Sequence, residues 1–242
     1  MSKPDTKADI FEIMYNCRAM RRLKPDPVPD DVLLQLVDAA IHAPSSSNAQ
    51  NWRFIIVRDR EQKVRIKELW AKGWAWYNDT INAAPVRPGE NVENRKRQKR
   101  AGDYMVSHLD ETPALIFVAV KKDEAISKAL ASPNTVTAAV RHLGLAGTAR
   151  LLAGAGNATT TGVLSTAYPA VQNLLLAARA LGLGAVLTTP HLFHPGQYEK
   201  LLGIPSDVTL AACIPVGYPR GKFGPVSRPD PKSVVFWDSY GS

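Results

Sequence analysis

The segment DDVLLQLVDAAIHAPSSSNAQNWRFIIV, residues 30–57, places a helical pattern, a polar loop and a buried strand pattern in direct succession. Between residues 30 and 43, apolar side chains recur three and four positions apart, which predicts a helix with a broad buried face. We expect Asp30 or Asp31 to cap its start and Pro44 to end it, because the residue before a proline is disfavoured in a helix. The strand pattern covers residues 54–57. The segment therefore predicts a core built from both helices and strands.

The same two patterns recur along the chain. Residues 9–18 and 168–181 have helical spacing, and Gly182 supplies a stop for the second helix. Short apolar runs rich in branched residues predict three more strands, at residues 115–120, 185–189 and 208–216. This mixture indicates an α+β fold.

Two stretches fall outside this pattern. Residues 72–107 combine tryptophans with a basic run, and residues 144–162 are rich in glycine, alanine and threonine. Both are candidates for mobile coverings of a site. With no internal repeat and no linker-like stretch, we predict a single domain over residues 1–242, with a candidate lid insertion at 72–107.

Composition narrows the class of protein. A chain of 242 residues with 45% hydrophobic content can bury a substantial core. Cys17 and Cys213 are too few for a disulfide framework and too far apart in sequence for a metal cluster, which favours a reduced setting. The start shows no secretory signal, and no run reaches the roughly 18 apolar residues of a membrane helix. We therefore expect a soluble, cytoplasmic protein.

Three polar clusters lie beside these apolar elements: Arg18-Ala-Met-Arg21, Pro44-Ser-Ser-Ser-Asn48 and Arg228. An arginine fork makes bidentate, charge-assisted hydrogen bonds with phosphate and stays charged at any working pH. The alternative is that these arginines are solvated, or pair with neighbours such as Asp26 or Asp30.

Taken in order, the motifs resemble the nitroreductase family of FMN-dependent oxidoreductases over nearly the whole chain. They are Arg18-x-x-Arg21, Ala43-Pro-Ser-Ser-x-Asn48-x-Gln-x-Trp-x-Phe54, the run from Pro169 to Gly184, Pro215-Val-Gly-Tyr-Pro219 and Arg228-Pro229. One departure is Ala19, where the family often has serine. The resemblance implies a nitroreductase-like fold with a central, mostly antiparallel sheet flanked by helices. It also implies an interlocked homodimer in which both chains contribute to each FMN site.

The resemblance also assigns roles to residues. It gives the FMN phosphate to Arg18 and Arg228, and the pyrimidine edge of the flavin to the loop residues Pro44, Ser45, Ser46 and Asn48. Arg21 is the candidate for stabilising the negative charge that develops around N1 and the C2 carbonyl on reduction. The segment Leu187, Thr188 and Thr189 aligns with the strand that approaches flavin N5.

The pair Thr188-Thr189, within Val186-x-Thr-Thr-Pro190, resembles the iodotyrosine deiodinase and flavin-destructase branch of the family. There a hydroxyl donating to N5 would influence one-electron against two-electron chemistry, which makes Thr188 and Thr189 the candidate catalytic residues. The alternative is that both threonines are only good strand formers. The Glu, Tyr and Lys lid pattern of the deiodinases is not evident in residues 72–107.

The function implied by the resemblance is ping-pong transfer from NAD(P)H, through FMN, to an electron-poor acceptor such as a nitroaromatic or a quinone. The alternatives are a reductive dehalogenase or flavin-destructase-like enzyme, and a protein that sequesters FMN without turnover. No metal is expected, because His191-x-x-His194 lacks a recognisable third ligand. Either histidine is instead a loop residue or a proton donor to substrate.

The net charge of +8 is uneven, with five cations at residues 95–100. No aromatic interleaving or zinc-finger spacing accompanies this run, so a solvated helix face is favoured over a nucleic-acid site. Electrostatic steering of NADPH is a further interpretation of the run.

Overall fold

The structure, a computed structural model, describes residues 9–86 and 90–241, with the backbone alone at residues 125 and 155–159. Four strands form one antiparallel sheet in the order β1-β2-β4-β3. The strands are β1 (Trp52–Val57), β2 (Ala114–Lys121), β3 (Gly184–Ala185) and β4 (Val208–Gly217). The helices of the described residues are α1 (Ile10–Asn16), α2 (Asp30–Ile41), α3 (Arg60–Thr80), α4 (Val92–Ser107), α5 (Glu124–Leu130), α6 (Pro133–Ala153), α7 (Ala155–Ala180) and α8 (Gln197–Leu202). The predicted α+β class with a mostly antiparallel central sheet is confirmed.

The core forms two apolar layers, one on each face of the sheet. Side chains alternate along β2, so that Ile116 and Val118 pack with α2 and α7 while Leu115 and Phe117 pack with α3, α4 and α8. Both faces of β2 are buried, which explains why the sequence of this strand is a continuous apolar run.

Most predicted elements appear close to their predicted positions, with local differences. Asp30 and Asp31 lie in the first turn of α2, and the residue before the helix is Pro29, so neither aspartate caps it through its side chain. The stop at Gly182 is confirmed: its φ of +74° is a left-handed conformation that favours glycine. The strand predicted at residues 185–189 is shorter, with Thr188 pairing separately with Cys213.

The glycine-rich stretch at residues 144–162 is helical, divided between α6 and α7. Gly144 interrupts the regular backbone of α6 with a φ of +67°. Leu145 is 78% exposed, and Leu143 and Leu152 are also exposed, so this region presents an apolar surface. No helix in the described ranges combines the length and apolar content needed to span a membrane. That residues 1–242 form one domain stays a prediction, and residues 1–8, 87–89 and 242 lie outside the described residues.

Candidate active site

A strap formed by residues 18–24 crosses the sheet beside β3 and the end of β4. The Met20 amide donates to the Ala185 carbonyl over 3.1 Å, and the Lys24 amide donates to the Tyr218 carbonyl over 2.7 Å. Gly184 permits this approach, because a Cβ atom there would lie 2.8 Å from Leu23 Cδ2. The strap thereby carries its arginines to the edge of the sheet where residues 187–190 leave β3.

A first cleft of about 530 Å³ opens at this edge. The structure brings together four of the predicted site residues in its wall: Arg21, Leu187, Thr188 and Thr189. The aromatic side chains of the wall are Trp70, Trp74, Tyr77 and Phe193. The cleft is large enough for a planar ligand and offers it both hydroxyl and apolar contacts.

The candidate lid, residues 72–107, supplies much of this wall from α3 and α4, although its residues 87–89 lie outside the described residues. Trp74 stacks on Tyr77 with ring centroids 5.4 Å apart, and its Nε1 donates to Asp103 Oδ1 over 2.8 Å. Gly102 lies directly under Trp74, where a Cβ atom would be 2.4 Å from the indole ring. This packing holds α4 against α3, while Trp76 is more than half exposed and contacts Phe193.

Arg95, the first residue of the basic run, has a structural role that sequence reasoning missed. Its side chain is only 18% exposed. Its Nη2 donates to the carbonyls of Ile81, Asn82 and Ala84 over 2.9, 3.1 and 2.7 Å. These carbonyls follow α3, where a cation also interacts favourably with the helix dipole. Arg95 therefore fixes the turn that leads from α3 into the rest of the lid, whereas Lys96, Arg97, Lys99 and Arg100 are exposed, as predicted for a solvated face.

Polar groups of the lid also face the first cleft. Its lining includes Tyr77, Glu90 and Lys99, a convergence that residue spacing does not reveal. These charges have neighbours in the lid: Glu90 lies 3.6 Å from Arg95, and Lys99 lies 3.1 Å from Asp103. The cleft can therefore present both an acidic and a basic group to a ligand.

A second cleft of about 490 Å³ meets the first at Arg21. Five cationic side chains line it: Arg18, Arg21, Arg22, Arg220 and Lys222. No carboxylate lines it, and in the described part of the chain none of the five forms an ion pair. Asp30, one of the two neighbours named as alternative partners of these arginines, pairs with Arg58 instead.

Arg22, Arg220 and Lys222 were not predicted as site residues. Two of them lie in the Pro219-Arg-Gly-Lys222 turn directly after β4; the sequence shows that this turn is basic, but only the pairing of Leu23 with Pro219 places it beside the strap. The Arg220 amide donates to the Arg22 carbonyl over 2.9 Å, which joins the two segments.

The two clefts together have the chemistry that FMN requires. Arginine and lysine without counter-anions suit a phosphate, and the adjoining aromatic wall with threonine hydroxyls suits a flat conjugated ring. Burial lowers the pKa of the Arg21 guanidinium from its ordinary value, with an opposing contribution from Tyr77. Arg21 still carries its charge at neutral pH, in a partly desolvated position where it acts more strongly on a bound anion.

The two threonines have different hydrogen bonding. Thr188 Oγ1 donates to the Cys213 carbonyl over 2.5 Å, and the backbones of the two residues also pair in both directions. The Thr189 hydroxyl has no hydrogen-bond partner among the residues that the structure describes. Burial raises the pKa of the Cys213 thiol well above its usual range, so the thiol stays protonated beside Thr188. Of the two hydroxyls, that of Thr189 is the one available to a ligand.

The predicted serine loop lines neither cleft. The Ser46 amide donates to Thr166 Oγ1 on α7 over 3.1 Å, which seats the loop on this helix. Ser47, Asn48 and Gln50 have φ values of +50°, +53° and +49°, in the left-handed region that is unfavourable for non-glycine residues. Ser46 and Asn48 are exposed and Ser45 is half-buried. The loop is thus a strained and largely exposed segment that lies outside both clefts of its own chain.

Arg228 also lies outside both clefts. Its guanidinium is exposed and donates to the Ser227 carbonyl over 2.8 Å. The neighbouring Val226 amide donates to the Tyr15 carbonyl over 3.0 Å, which keeps this part of the C-terminal segment near α1 and Arg18.

His191 and His194 line neither cleft. Burial lowers the pKa of His191, with an opposing contribution from Glu199. His191 Nδ1 and His194 Nε2 are buried without hydrogen-bond partners. Across residues 9–86 and 90–241, no three histidine, cysteine or acidic side chains are grouped to hold a metal ion.

The chain is similar to known proteins in both sequence and fold. The model of the nitroreductase family matches residues 16–218. A protein named NADH dehydrogenase from Thermus thermophilus is 29% identical over 222 residues, covering 91% of each chain. An iodotyrosine deiodinase from Thermotoga neapolitana is 26% identical over 213 residues, covering 87% of this chain and 88% of the relative. A solved structure of oxidised iodotyrosine deiodinase bound to FMN and 3-iodo-L-tyrosine superimposes with a TM-score of 0.63 at 24% identity, over 96% of this chain and all of that one.

Proposed function

The chain belongs to the nitroreductase family, and on that premise we propose that it is an FMN-dependent oxidoreductase that uses NAD(P)H to reduce an electron-poor acceptor. The observation that supports this most is the junction of the two clefts at Arg21. One side offers five cations without counter-anions, and the other offers a threonine and aromatic wall. A nitroaromatic or a quinone fits this wall, because both are flat and conjugated.

Phosphate binding falls to Arg18 at the strap, with Arg228 as the second contact that the family resemblance implies. Bidentate arginine contacts fix both the position and the orientation of a phosphate. Arg21 lines both clefts, so the residues that would hold the ring of FMN are those of the first cleft, Leu187, Thr188 and Thr189. Bound FMN supplies the redox chemistry, accepting a hydride from NAD(P)H and returning two electrons to the acceptor.

Arg21 and Thr189 tune this chemistry. The Arg21 guanidinium would stabilise the negative charge of a reduced flavin at its pyrimidine end, and its partial burial would strengthen that interaction. The Thr189 hydroxyl would donate to flavin N5, since the Thr188 hydroxyl already donates to the Cys213 carbonyl.

The lid forms the other side of the substrate position. The stacked pair of Trp74 and Tyr77, held by Asp103, provides a flat surface against which the dinucleotide and the acceptor bind in turn. Sequential use of one position produces ping-pong kinetics.

A homodimer completes the site. The serine loop with Pro44, Ser45, Ser46 and Asn48 lines neither cleft of its own chain, and its strained backbone is typical of functional loops. We assign this loop to the FMN of a second copy, where its hydroxyl and amide groups meet the pyrimidine edge. Exposed leucines on α5 and α6, among them Leu130 and Leu145, are consistent with an interface between copies.

A second candidate function is reductive dehalogenation of an aromatic amino acid. It is favoured by the convergence of Tyr77, Glu90 and Lys99 on the first cleft, because a carboxylate and an ammonium together complement a zwitterion. The reaction would convert an aryl iodide, two electrons and a proton to the arene and iodide. Release of iodide from 3-iodo-L-tyrosine by the anaerobically reduced protein would distinguish it from acceptor reduction.

Initial-rate kinetics test the main proposal. With the FMN-reconstituted protein, varied NAD(P)H at several fixed quinone concentrations should give parallel double-reciprocal lines. Intersecting lines would contradict alternating use of one position. Bound FMN that neither NADH nor NADPH reduces would instead identify a flavin-sequestering protein.

A further inference from the structure

The second cleft holds more positive charge than one FMN phosphate can neutralise. Five cations line it, and a phosphate monoester carries about 1.5 to 2 negative charges at neutral pH. With Arg18 assigned to that phosphate and Arg21 to the pyrimidine end of the flavin, three cations remain: Arg22, Arg220 and Lys222. We propose that these three form a second phosphate subsite, which binds a phosphate group of the nicotinamide dinucleotide donor.

Two of the three side chains are held in place before any ligand arrives. Arg220 Nε donates to the Leu23 carbonyl over 3.1 Å, which fixes the base of its guanidinium and leaves the outer nitrogens for a ligand. The Arg22 guanidinium lies 5.4 Å from the centre of the Tyr104 ring, and that ring stacks on His108 at 4.0 Å. Holding cations in position reduces the entropy lost when an anion binds.

The third side chain is less constrained. Lys222 is exposed, follows Gly221, and has no ion pair in the described part of the chain. A flexible ammonium in this position acts as a point charge that can follow a mobile phosphate. The subsite thus combines two planar guanidinium groups with one adaptable ammonium.

The position of the subsite suits a dinucleotide. Arg21 borders both clefts, so a ligand with its nicotinamide against Thr189 and Trp74 in the first cleft can extend past Arg21 into the second. Two groups of the donor have the required chemistry: the pyrophosphate, which NADH and NADPH share, and the 2′-phosphate, which only NADPH carries. The subsite rests on the proposed function, because it serves the donor of the same reaction.

The test compares Arg22→Gln and Lys222→Gln, each saturated with FMN, with two matched controls. Lys24→Gln removes an exposed cation of the strap that lies outside both clefts, and Arg65→Gln removes an exposed cation of α3. Binding of NAD⁺ and NADP⁺ to the holoprotein is measured by calorimetry, and flavin bleaching by NADH and NADPH is measured by stopped flow. The affinity of each apoprotein for FMN is measured separately, so that failure of the FMN assignment is recognised independently.

Loss of one solvent-accessible charge contact should weaken dinucleotide binding about fivefold, with the controls unchanged. Weakening of both dinucleotides supports the subsite and identifies the pyrophosphate as its ligand. Weakening of NADP⁺ and NADPH alone supports it and identifies the 2′-phosphate. Unchanged dinucleotide binding in both cleft variants would overturn the proposal, and a rise in the FMN dissociation constant in that case would assign these cations to the cofactor.

Discussion

The Thr188 hydroxyl donates to the Cys213 carbonyl over 2.5 Å, at the point where the two backbones also pair. Because of this contact, the adjacent threonines Thr188 and Thr189 have different roles. Thr188 secures the segment that follows β3 against β4, and Thr189 presents its hydroxyl to the first cleft.

Replacement of Thr189 by valine should therefore alter the flavin chemistry, because it removes the hydroxyl proposed to donate to N5 while keeping the side-chain shape. We expect a change in the balance between one-electron and two-electron reduction, measured by spectra during stepwise anaerobic photoreduction. Thr188→Val is the matched control and should lower the free energy of unfolding by about 1 kcal/mol without changing those spectra. The assignment fails if the Thr188 variant changes the spectra and the Thr189 variant does not.

Arg21→Gln should lower the reduction potential of the bound flavin, because it removes a fixed positive charge that favours the reduced form. The expected change is about 30 to 60 mV, equivalent to about 1.5 to 3 kcal/mol for a two-electron couple. Potentials are measured against a reference dye, with Arg65→Gln as the control. An unchanged reduction potential would show that Arg21 does not stabilise the reduced flavin.

The phosphate assignment predicts that Arg18→Ala and Arg228→Ala each weaken FMN binding about ten- to hundredfold, as expected for one charge-assisted contact. Quenching of FMN fluorescence during titration of apoprotein measures the dissociation constants. Because the Arg228 guanidinium lies outside both clefts, its variant is the sharper test. Wild-type affinity in Arg228→Ala would show that the family role does not transfer to this residue.

Arg95→Met should loosen the lid, because three carbonyls after α3 lose their common donor. Faster hydrogen exchange is expected at residues 77–86, together with a higher KM for aromatic acceptors. Arg97→Met, which removes an exposed cation of the same helix, should leave both unchanged. Equal exchange in the two variants would show that Arg95 belongs functionally with the solvated residues of the run.

Sequence reasoning succeeds where one periodic pattern decides an element. The helix at α2 and the strands β2 and β4 follow from local apolar spacing, and Gly182 ends α7 as expected. It fails at residues 144–162, because glycine and threonine have low helix propensity and α6 and α7 nevertheless incorporate them.

The site residues show the same contrast between what sequence patterns predict and what only the fold reveals. Arg21, Thr188 and Thr189 were predicted to lie together, and they do. Arg220 and Lys222 were missed because the turn that carries them is about two hundred positions from the strap, and the Arg220 contacts that join the two segments are encoded by no local pattern. The role of Arg95 was missed because a run of like charges does not reveal which member turns inward.

The most direct test of the account is the absorbance spectrum of the purified protein, before and after anaerobic addition of NADPH. We predict a yellow protein with bound FMN whose flavin absorbance bleaches on reduction and returns when a quinone is added. Protein that stays colourless and binds no FMN, even when FMN is supplied in excess, would contradict the central claim that these two clefts hold the cofactor.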